Sequence, residues 1–247
     1  MEVLSEIINN VLVVTLNRPE AGNALNGALS EGLSNTLASA AENDEVRAIV
    51  ITGAGEKIFC AGMDLKAFAA GEDLAKIGLG FTALRNCKKP LIAAVNGHAL
   101  AGGFEVVMLC DLIVSVDSAR FGIPEVKRGL FAAGGGVRLP ARIPLAIALE
   151  MGLTGDPIDA VRAKELGLIN QVVASADLRD AALALAARVS ANGPLAVQAT
   201  KQLMLDEIGS GNSALLGELQ KKVFSSADAK EGATAFAQKR APEWQGR

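Results

Sequence analysis

The sequence predicts an α/β fold, in which strands alternate with helices up to about residue 190 and helices alone follow. Runs of β-branched residues, such as "VRAIVITG" at 46–53, are typical of buried strands. By contrast, "GALSEGLSNTLASAAEND" at 27–44 repeats leucine at helical spacing. Alternation of these two patterns implies α/β architecture, but periodicity alone does not distinguish an open sheet from a coil.

The first elements are assigned as follows. "VLVVTLN" at 11–17 is rich in valine and ends at the turn-like "RPEAGN", so it is predicted to be a strand. The helix at 27–44 places Leu29, Leu33 and Leu37 on one face, and the strand at 46–53 follows. We predict a glycine-containing loop at 53–66, and short helices over a mobile stretch at 67–87, where periodicity is weak.

The middle of the chain repeats this order. "PLIAAVNG" at 90–97 is a predicted strand, and a glycine pair then introduces a short apolar helix that ends before Asp111. A strand and turn are predicted at 112–124, a helix at 144–155 and a last strand at 168–173.

From Asp177 onward the predicted elements are amphipathic helices. "ANGP" separates two of them, because its glycine is suited to end a helix and Pro194 to begin the next. We therefore expect a strand–helix portion that carries any active site, residues 1–190, and a helical portion, residues 191–247.

Composition limits the class of protein. The 247 residues and 25.4 kDa fit one large domain or one domain with an appendage. Half of the residues are hydrophobic and the mean hydropathy is +0.31, so we expect some apolar surface to be buried between subunits.

Charge and hydropathy argue against nucleic-acid and membrane partners. The formal net charge is −3, the pI is about 5.4, and the sequence has no basic block, which argues against a nucleic-acid partner. No window reaches the ~18 consecutive apolar residues of a membrane span. The acidic start "MEVLSEIINN" lacks a signal pattern, and Cys60, Cys87 and Cys110 form no CxxC pair. We therefore expect a cytoplasmic protein with reduced thiols.

Several kinds of catalytic site are excluded. The sequence has one histidine, His98, and no tyrosine, so an HExxH zinc site is impossible and any Ser–His–Asp arrangement would depend on His98. We interpret His98 as a turn or pocket-wall residue. The motifs GxSxG, GxxxxGK[ST] and GxGxxG are also absent. Carboxylates remain as the groups for proton transfer.

Two glycine-containing loops are candidates to present backbone N–H groups. In "CAGMDLK", Gly62 precedes Met63, and Asp64 is suited to cap a following helix. In "ALAGGFE", Gly102 and Gly103 precede an apolar helix whose dipole would add positive potential. N–H groups at such points can bind an anion or a developing oxyanion, and an ordinary helix start is the alternative for each loop.

Two glutamates are candidate acids. Glu105 follows the glycine pair in the first turn of the predicted helix, where it could instead complement the helix dipole. Glu125 follows Pro124, a natural first helical residue, and its alternative is a solvated surface position.

In combination, "KIFCAGMDL", "VNGHALAGGFEVVMLCD" and "FGIPEVKRGL" resemble the enoyl-CoA hydratase/isomerase, or crotonase, superfamily. The resemblance continues through "NRPEAGNALN", "LTGDPIDAVRAKELGLINQVV" and "FAQKRAPEWQGR", in the expected order, and covers essentially the whole chain. The "GGFE" form and "KRAPEWQGR" are similar to carnitinyl-CoA dehydratase-like members. The resemblance implies a crotonase-type coil of β-β-α units with a C-terminal helical region, which packs between the subunits of a homotrimer or a dimer of trimers.

The resemblance also implies an acyl-CoA thioester substrate, no metal or redox cofactor, and a set of site residues. The oxyanion hole falls on the N–H groups of Met63 and Gly102, and the catalytic glutamates of the hydratase subgroup fall on Glu105 and Glu125. The predicted substrate-binding residues are Asn23, Ala24, Leu25, Lys57, Ala61, Gly62, Asp64, Leu65, Lys66, Gly103 and Ala133, with the two lysines as candidates to contact CoA phosphates. Ala132 and Ala133 stand where the family usually has a Pro-Gly pair.

We therefore predict an enoyl-CoA hydratase that adds water reversibly, and syn, to a 2-trans-enoyl-CoA in fatty-acid or related acyl-CoA metabolism. Glu105 would orient and deprotonate the water, and Glu125 would protonate Cα. The alternatives are a dehydratase of a specialised hydroxyacyl-CoA such as carnitinyl-CoA, and an enoyl-CoA isomerase, whose known members commonly lack a glutamate at the position of Glu105. A non-catalytic CoA- or RNA-binding homologue is a further alternative, although the acidic pI weighs against RNA.

Overall fold

Short strands and helices alternate along the chain. The structure, a computed structural model, describes residues 1–128, 130–209 and 240–247, together with positions 218, 222, 226–228, 231, 235 and 238. Within these residues the strands are β1 (Val3–Ile8), β2 (Val11–Leu16), β3 (Ala48–Gly53), β4 (Ile58–Cys60), β5 (Leu91–Val95), β6 (His98–Leu100), β7 (Leu112–Val116), β8 (Arg120–Gly122), β9 (Ile158–Asp159) and β10 (Gln171–Val173). The α-helices there are α1 (Gly27–Glu42), α2 (Leu65–Ala69), α3 (Leu74–Asn86), α4 (Gly102–Leu109), α5 (Leu145–Thr154), α6 (Ala160–Glu165), α7 (Leu178–Ser190) and α8 (Pro194–Gly209).

The larger sheet forms the centre of the core. Among the described residues it has six strands in the order β1-β2-β3-β5-β7-β10, and all neighbours except β1 and β2 are parallel. Its central strands are apolar and almost completely buried; every residue of β5, "LIAAV", is buried. Parallel strands of this kind need cover on both faces, and α7 packs against β2, β3, β5 and β7.

The smaller sheet contains β4, β6 and β8 as parallel neighbours, with β9 antiparallel to β8. A short turn joins β3 to β4, β5 to β6 and β7 to β8, so each unit contributes one strand to each sheet. A helical segment follows the second strand of each unit: α2, α4 and the 3₁₀ helix Pro124–Arg128. This is the predicted coil of β-β-α units, and the α/β fold class is confirmed.

The three segments that follow β4, β6 and β8 lie at one edge of the smaller sheet. Since these strands are parallel neighbours, their carboxyl ends meet at the same edge. Met63, Gly102 and Glu125 each lie two or three residues beyond the end of one of these strands. The fold therefore brings together the predicted site residues from three separate parts of the chain.

Most of the predicted elements have the expected type. The predicted strands at 11–17 and 46–53 correspond to β2 and β3, and the predicted helix at 27–44 corresponds to α1. The leucine face of α1 is buried, with Leu29 and Leu33 fully inaccessible to solvent. Asn26 caps this helix by accepting a hydrogen bond from the Leu29 N–H at 2.8 Å.

Three expectations are corrected by the structure. The predicted loop at 53–66 contains β4, and the predicted strand and turn at 112–124 hold two strands, β7 and β8. Residues 67–87 consist mainly of α3, one helix of 13 residues, instead of several short helices. β4 and β8 were missed because they have three residues each, which is too short to produce a visible period of two. α3 was not recognised as one helix because Gly78 and Gly80 interrupt its apolar pattern.

α7 ends at Ser190, and α8 begins at Pro194, the residue predicted to start a helix. The division of the chain into a portion 1–190 and a helical portion 191–247 stays a prediction. Most of the predicted helical region beyond α8 lies outside the described residues, so its role between subunits stays a prediction. The C-terminal residues 240–247 contact Arg47 and the residue after α7 at the protein surface. The Trp244 indole N–H donates to the Ala191 carbonyl at 2.8 Å, and Arg47 Nη2 donates to the Trp244 carbonyl at 3.1 Å.

Within the described ranges, none of the helices combines the length and the hydropathy that crossing a lipid bilayer requires. The same residues contain no group of three or more His, Cys, Asp or Glu side chains that could hold a metal ion.

Candidate active site

The Met63 amide lies at a backbone bridge between two loops. The Leu25 N–H donates to the Gly62 carbonyl at 2.7 Å, and the Asp64 N–H donates to the Leu25 carbonyl at 3.0 Å. In a parallel bridge, the residue between the two bonded neighbours directs its own N–H to the opposite side. The described part of the chain offers no acceptor for the Met63 N–H, so this donor is available to a ligand.

The second amide begins α4. Ala101 precedes it with φ 51° and ψ −131°, and donates its own N–H to the Gly122 carbonyl at 2.9 Å. The Gly102 N–H has no acceptor among the described residues, as expected at the first turn of a helix. Gly62, with φ 98°, packs against this point, and a Cβ atom there would lie 2.9 Å from the Gly102 nitrogen. Glycine at position 62 therefore lets the Met63 loop approach the second donor closely.

Gly103 keeps α4 close to β4. A Cβ atom at this position would overlap the carbonyl oxygen of Cys60, the last residue of β4. The adjacent glycines quoted from the sequence therefore have separate roles, because Gly102 presents an amide and Gly103 permits close packing. The contact of Gly103 with substrate stays a prediction.

Glu105 is a buried carboxylate in the first turn of α4, with 4% of its surface exposed. Its Oε1 accepts hydrogen bonds from the Gly135 N–H at 2.6 Å and the Gly136 N–H at 2.7 Å. A buried carboxylate is costly unless it is hydrogen-bonded, and these two donors offset the cost. The other oxygen, Oε2, lies next to Gly134, where a Cβ atom would come within 2.7 Å of it. Since residue 134 is glycine, no side chain from that position covers Oε2.

Glu125 has a different environment. It lies in the 3₁₀ helix Pro124–Arg128, and its Oε2 is buried without a hydrogen-bond partner in the described part of the chain. Burial raises the pKa of Glu125 above its ordinary value; its own backbone N–H partly opposes this, and the negative charge of Glu105 adds to the rise. Glu105 follows β6 and Glu125 follows β8, its parallel neighbour, so both lie at the same edge of the smaller sheet; their convergence on one substrate stays a prediction.

Two unpartnered amides beside two unlike carboxyls form a site that can stabilise an oxyanion and move protons. Residues 6–247 match the model of the family described as Enoyl-CoA hydratase/isomerase. The chain belongs to this family. Its predicted membership is thereby confirmed.

Several members of the enoyl-CoA hydratase/isomerase family are similar to this chain over almost its whole length. The carnitinyl-CoA dehydratases of Proteus mirabilis (strain HI4320) and Escherichia coli (strain K12) are 41% and 40% identical to it, each over 96% of this chain and 96% of their own. The crystal structure of an enoyl-CoA hydratase from Mycobacterium tuberculosis H37Rv is 51% identical, covers 100% of this chain and 99% of its own, and has a TM-score of 0.93. The carnitinyl-CoA hydratase from Mycobacterium avium is 44% identical over 100% of this chain and 99% of its own, with a TM-score of 0.80.

Asn23, Ala24 and Leu25, three of the predicted substrate residues, are buried and hold the loops of the site in place. Asn23 is fully buried, with φ 53°. Its Oδ1 accepts from the Arg18 N–H at 2.9 Å, and its Nδ2 donates to two backbone carbonyls at 3.0 Å each. The Asn23 side chain therefore holds the loop in shape. Ala24 and Leu25 are also buried, and the backbone of Leu25 orients the Met63 amide.

Asp64 is the N-cap of α2, as predicted. Its Oδ1 accepts from the N–H groups of Lys66 and Ala67 at 3.1 Å each, and its Oδ2 accepts from Arg18 Nη2 at 3.0 Å. Burial acts to raise the pKa of Asp64, but the hydrogen bonds from Ala67 and Arg18 outweigh it and hold the pKa below its ordinary value. Both oxygens of Asp64 are occupied within the protein, so this residue fixes the loop that contains Met63.

Five predicted substrate residues are exposed, and their contacts with CoA stay predictions. They are Lys57, Ala61, Leu65, Lys66 and Ala133. His98, interpreted above as a turn or pocket-wall residue, lies on β6 and is half-buried.

The sequence did not predict several residues that surround the site residues in the structure. The donors to Glu105 come from the "GGG" run, but three glycines alone carry no prediction, since any residue except proline supplies an N–H. Ala132 is buried, and a Cβ atom at Gly136 would overlap its Cβ, so the turn is compact at the first position of the replaced Pro-Gly pair.

The ring of Phe81 would lie 3.3 Å from a Cβ atom at Gly102 and 3.2 Å from one at Gly134. No local signal distinguishes Phe81 from an ordinary core aromatic residue.

Proposed function

We propose that the protein is an enoyl-CoA hydratase, which adds water reversibly and syn to a 2-trans-enoyl-CoA thioester. The observation that carries this proposal is the presence of two unlike carboxyls, Glu105 and Glu125, beside two unpartnered amides. Hydration needs a base for the water and an acid for Cα, whereas movement of a double bond needs one carboxyl. Membership of the family supports an acyl-CoA thioester as substrate.

In the proposed reaction, the thioester oxygen accepts hydrogen bonds from the N–H groups of Met63 and Gly102. As the water oxygen bonds to Cβ, the π electrons of the double bond move toward the carbonyl and create an enolate oxygen. A preorganised donor of this kind contributes about 3–4 kcal/mol to stabilisation of the transition state. The positive end of the α4 dipole lies at Gly102 and adds to that stabilisation.

Glu105 is the proposed base. Its Oε1 is occupied by the amides of Gly135 and Gly136, so Oε2 is the atom that takes a proton from water. Glu125 is the proposed acid, because burial favours its protonated form, and it delivers that proton to Cα as the enolate collapses. Transfer of one proton from Glu105 to Glu125, directly or through solvent, restores the starting state. These steps use carboxyl groups and backbone amides, so we propose that no metal or redox cofactor takes part.

A second candidate is the dehydration of a specialised hydroxyacyl-CoA, which is the reverse of the same step. The relatives named carnitinyl-CoA dehydratase favour it. A carnitinyl group carries a trimethylammonium, which binds well over the face of an aromatic ring. Phe81 is the aromatic ring whose distance from the Gly102 and Gly134 positions places it beside the site.

A panel of acyl-CoA substrates separates these candidates. We expect crotonyl-CoA and longer straight-chain 2-enoyl-CoA thioesters to lose their conjugated absorbance as water adds, and saturated acyl-CoA to show no change. The enoyl-CoA that bears a trimethylammonium is assayed beside them. If kcat/KM for that compound is more than about tenfold higher than kcat/KM for crotonyl-CoA, the result would favour the dehydratase. Failure of the folded protein to hydrate any of these compounds would contradict both candidates.

We propose a homotrimer or a dimer of trimers as the working assembly. Leu145, Leu149 and Leu153 follow one another at four-residue spacing on α5 and are 59%, 47% and 74% exposed. An apolar helix face of this kind is usually buried against another protein surface. The predicted role of the C-terminal helical region, 191–247, belongs to the same proposal.

Light scattering tests the assembly. We expect a mass three or six times 25.4 kDa, and a lower mass for Leu153→Glu, because a carboxylate would be buried in an apolar contact. Glu150→Gln, an exposed change on the same helix, is the matched control and should leave the mass unchanged. A wild-type mass of one chain would contradict the proposal.

We place this reaction in the cytoplasm, within β-oxidation or related acyl-CoA metabolism. Cys60, Cys87 and Cys110 are free thiols, which suits a reducing compartment.

A further inference from the structure

Arg18 connects three separate segments of the chain. It lies two residues beyond β2, and its side chain is 14% exposed. Nη1 donates to the Ala24 carbonyl at 2.6 Å, Nη2 donates to Asp64 Oδ2 at 3.0 Å, and Nε lies 3.3 Å from Glu2 Oε1. Nη1 and Nη2 each donate a hydrogen bond, and Nε forms an ion pair with Glu2, so each guanidinium nitrogen contacts a different part of the fold.

Two of these contacts lie on either side of the bridge that orients the Met63 amide. Leu25 bonds both the Gly62 carbonyl and the Asp64 N–H, and thereby holds the two neighbours of Met63. Arg18 holds the residue before Leu25 and the residue after Met63. The guanidinium thus joins the two loops that form the bridge. Its planar shape lets it donate to an acceptor on each loop at once.

The loop also has backbone restraints: the Ala61 N–H donates to the Gly22 carbonyl at 2.9 Å, in addition to the two bonds with Leu25. The remaining oxygen of Asp64 is committed to the N–H groups of α2, a helix of five residues, which by itself would move together with the loop. The contact of Arg18 with Asp64 adds a side-chain tie between the residue after Met63 and the segment that follows β2. A shift of the bridge would turn the Met63 N–H away from the position that it shares with the Gly102 N–H.

We infer that Arg18 is a positioning residue for the oxyanion hole: it holds the Met63 amide in the orientation that polarises the thioester carbonyl. This inference rests on the proposed function, since it assigns a task to the same site. Arg18 contacts neither the substrate nor the reacting atoms in this account, and it acts through Ala24, Leu25 and Asp64.

The test is Arg18→Met, with butyryl-CoA carrying ¹³C at its carbonyl carbon as the spectroscopic probe. Butyryl-CoA has no double bond and does not react, so the infrared frequency of its bound carbonyl reports the two hydrogen bonds alone. We expect wild type to lower this frequency relative to free butyryl-CoA, and Arg18→Met to move the band at least half of the way back. We expect kcat for crotonyl-CoA to fall about 10- to 100-fold, with KM and the butyryl-CoA Kd unchanged within about threefold.

Two further variants make the result decisive. Arg179→Met removes a different arginine–glutamate ion pair, in which Nη2 lies 2.8 Å from Glu6 Oε1 and both side chains are more than half exposed. It controls for loss of an ion pair and should leave both the band and kcat at wild-type values. Arg18→Lys keeps the charge but cannot reach three acceptors, so its band and kcat should lie between those of wild type and Arg18→Met.

A folded Arg18→Met protein with the wild-type band and wild-type kcat overturns the inference. If Arg18→Met does not fold, Arg18→Lys decides, and a wild-type band in that variant overturns it as well. A lower melting temperature without a change in the band would show a purely structural role. If wild type lowers the carbonyl frequency but hydrates no enoyl-CoA, the proposed function fails, while the band still tests the role of Arg18.

Discussion

Replacement of Glu125 by glutamine is expected to lower kcat for crotonyl-CoA hydration about 10²- to 10⁴-fold, because an amide cannot deliver a proton to Cα. The pKa of Glu125 is raised by burial and by the charge of Glu105, and an acid must be protonated to act. We therefore expect wild-type kcat/KM to fall as the pH rises through this raised pKa. The remaining activity of Glu125→Gln should lack that decline. Initial rates across a range of pH measure both effects.

The stability of Glu125→Gln provides the control. The direction in which its stability differs from wild type as the pH changes follows from the same raised pKa. A carboxyl whose pKa is raised in the folded state contributes stability that is fully present below its unfolded pKa of about 4.3 and is lost as the pH rises through the folded pKa. Glutamine does not titrate, so the variant should gain stability relative to wild type as the pH increases, measured by urea unfolding. A well-folded Glu125→Gln with near-normal turnover would remove Glu125 from the role of acid.

The second large effect is expected from Glu105→Gln, which should also lower hydration about 10²- to 10⁴-fold. The amide oxygen of glutamine can still accept from the N–H groups of Gly135 and Gly136, so the loop keeps its hydrogen bonds. The group can no longer take a proton from water. The measurement is hydration of crotonyl-CoA beside double-bond migration in a 3-enoyl-CoA, followed by NMR.

Glu105→Asp is the matched variant. It keeps the carboxylate but shortens the side chain, so it cannot reach both amides from the same position on α4, and we expect hydration between those of wild type and Glu105→Gln. Wild-type hydration by Glu105→Gln would exclude Glu105 as the base. Loss of hydration with full double-bond migration in that variant would favour an isomerase as the native activity.

The chemistry of the site was more predictable than its framework. Glu105 and Glu125 were selected because they stand within the motifs of the family resemblance; taken alone, each could be an ordinary carboxylate at the start of a helix. The unpartnered amide of Gly102 could also be expected, because this residue begins α4, where N–H groups lack acceptors. The Met63 amide is free for a different reason, its bridge to Leu25, which the sequence did not predict. The coil of two sheets could not be derived from periodicity, since β4, β6 and β8 have three residues each, and it was predicted from the family resemblance alone.

The contacts that position the site were not predictable, for a physical reason. The Gly135 N–H reaches Glu105 across 30 residues, and Arg18 reaches Asp64 across 46. One of these interactions uses a backbone group that every residue except proline has. The other uses an arginine that resembles any surface arginine until the chain is folded.

The placement of Met63, Gly102 and Glu125 just beyond three neighbouring strands has an evolutionary consequence. Each group belongs to a different turn of the coil, and each can be exchanged within its own short loop while the buried strands behind it are inherited intact. Proteins that descend from one ancestor can therefore acquire new reactions by a few substitutions at this edge of the smaller sheet, while the core that stabilises the fold is unchanged.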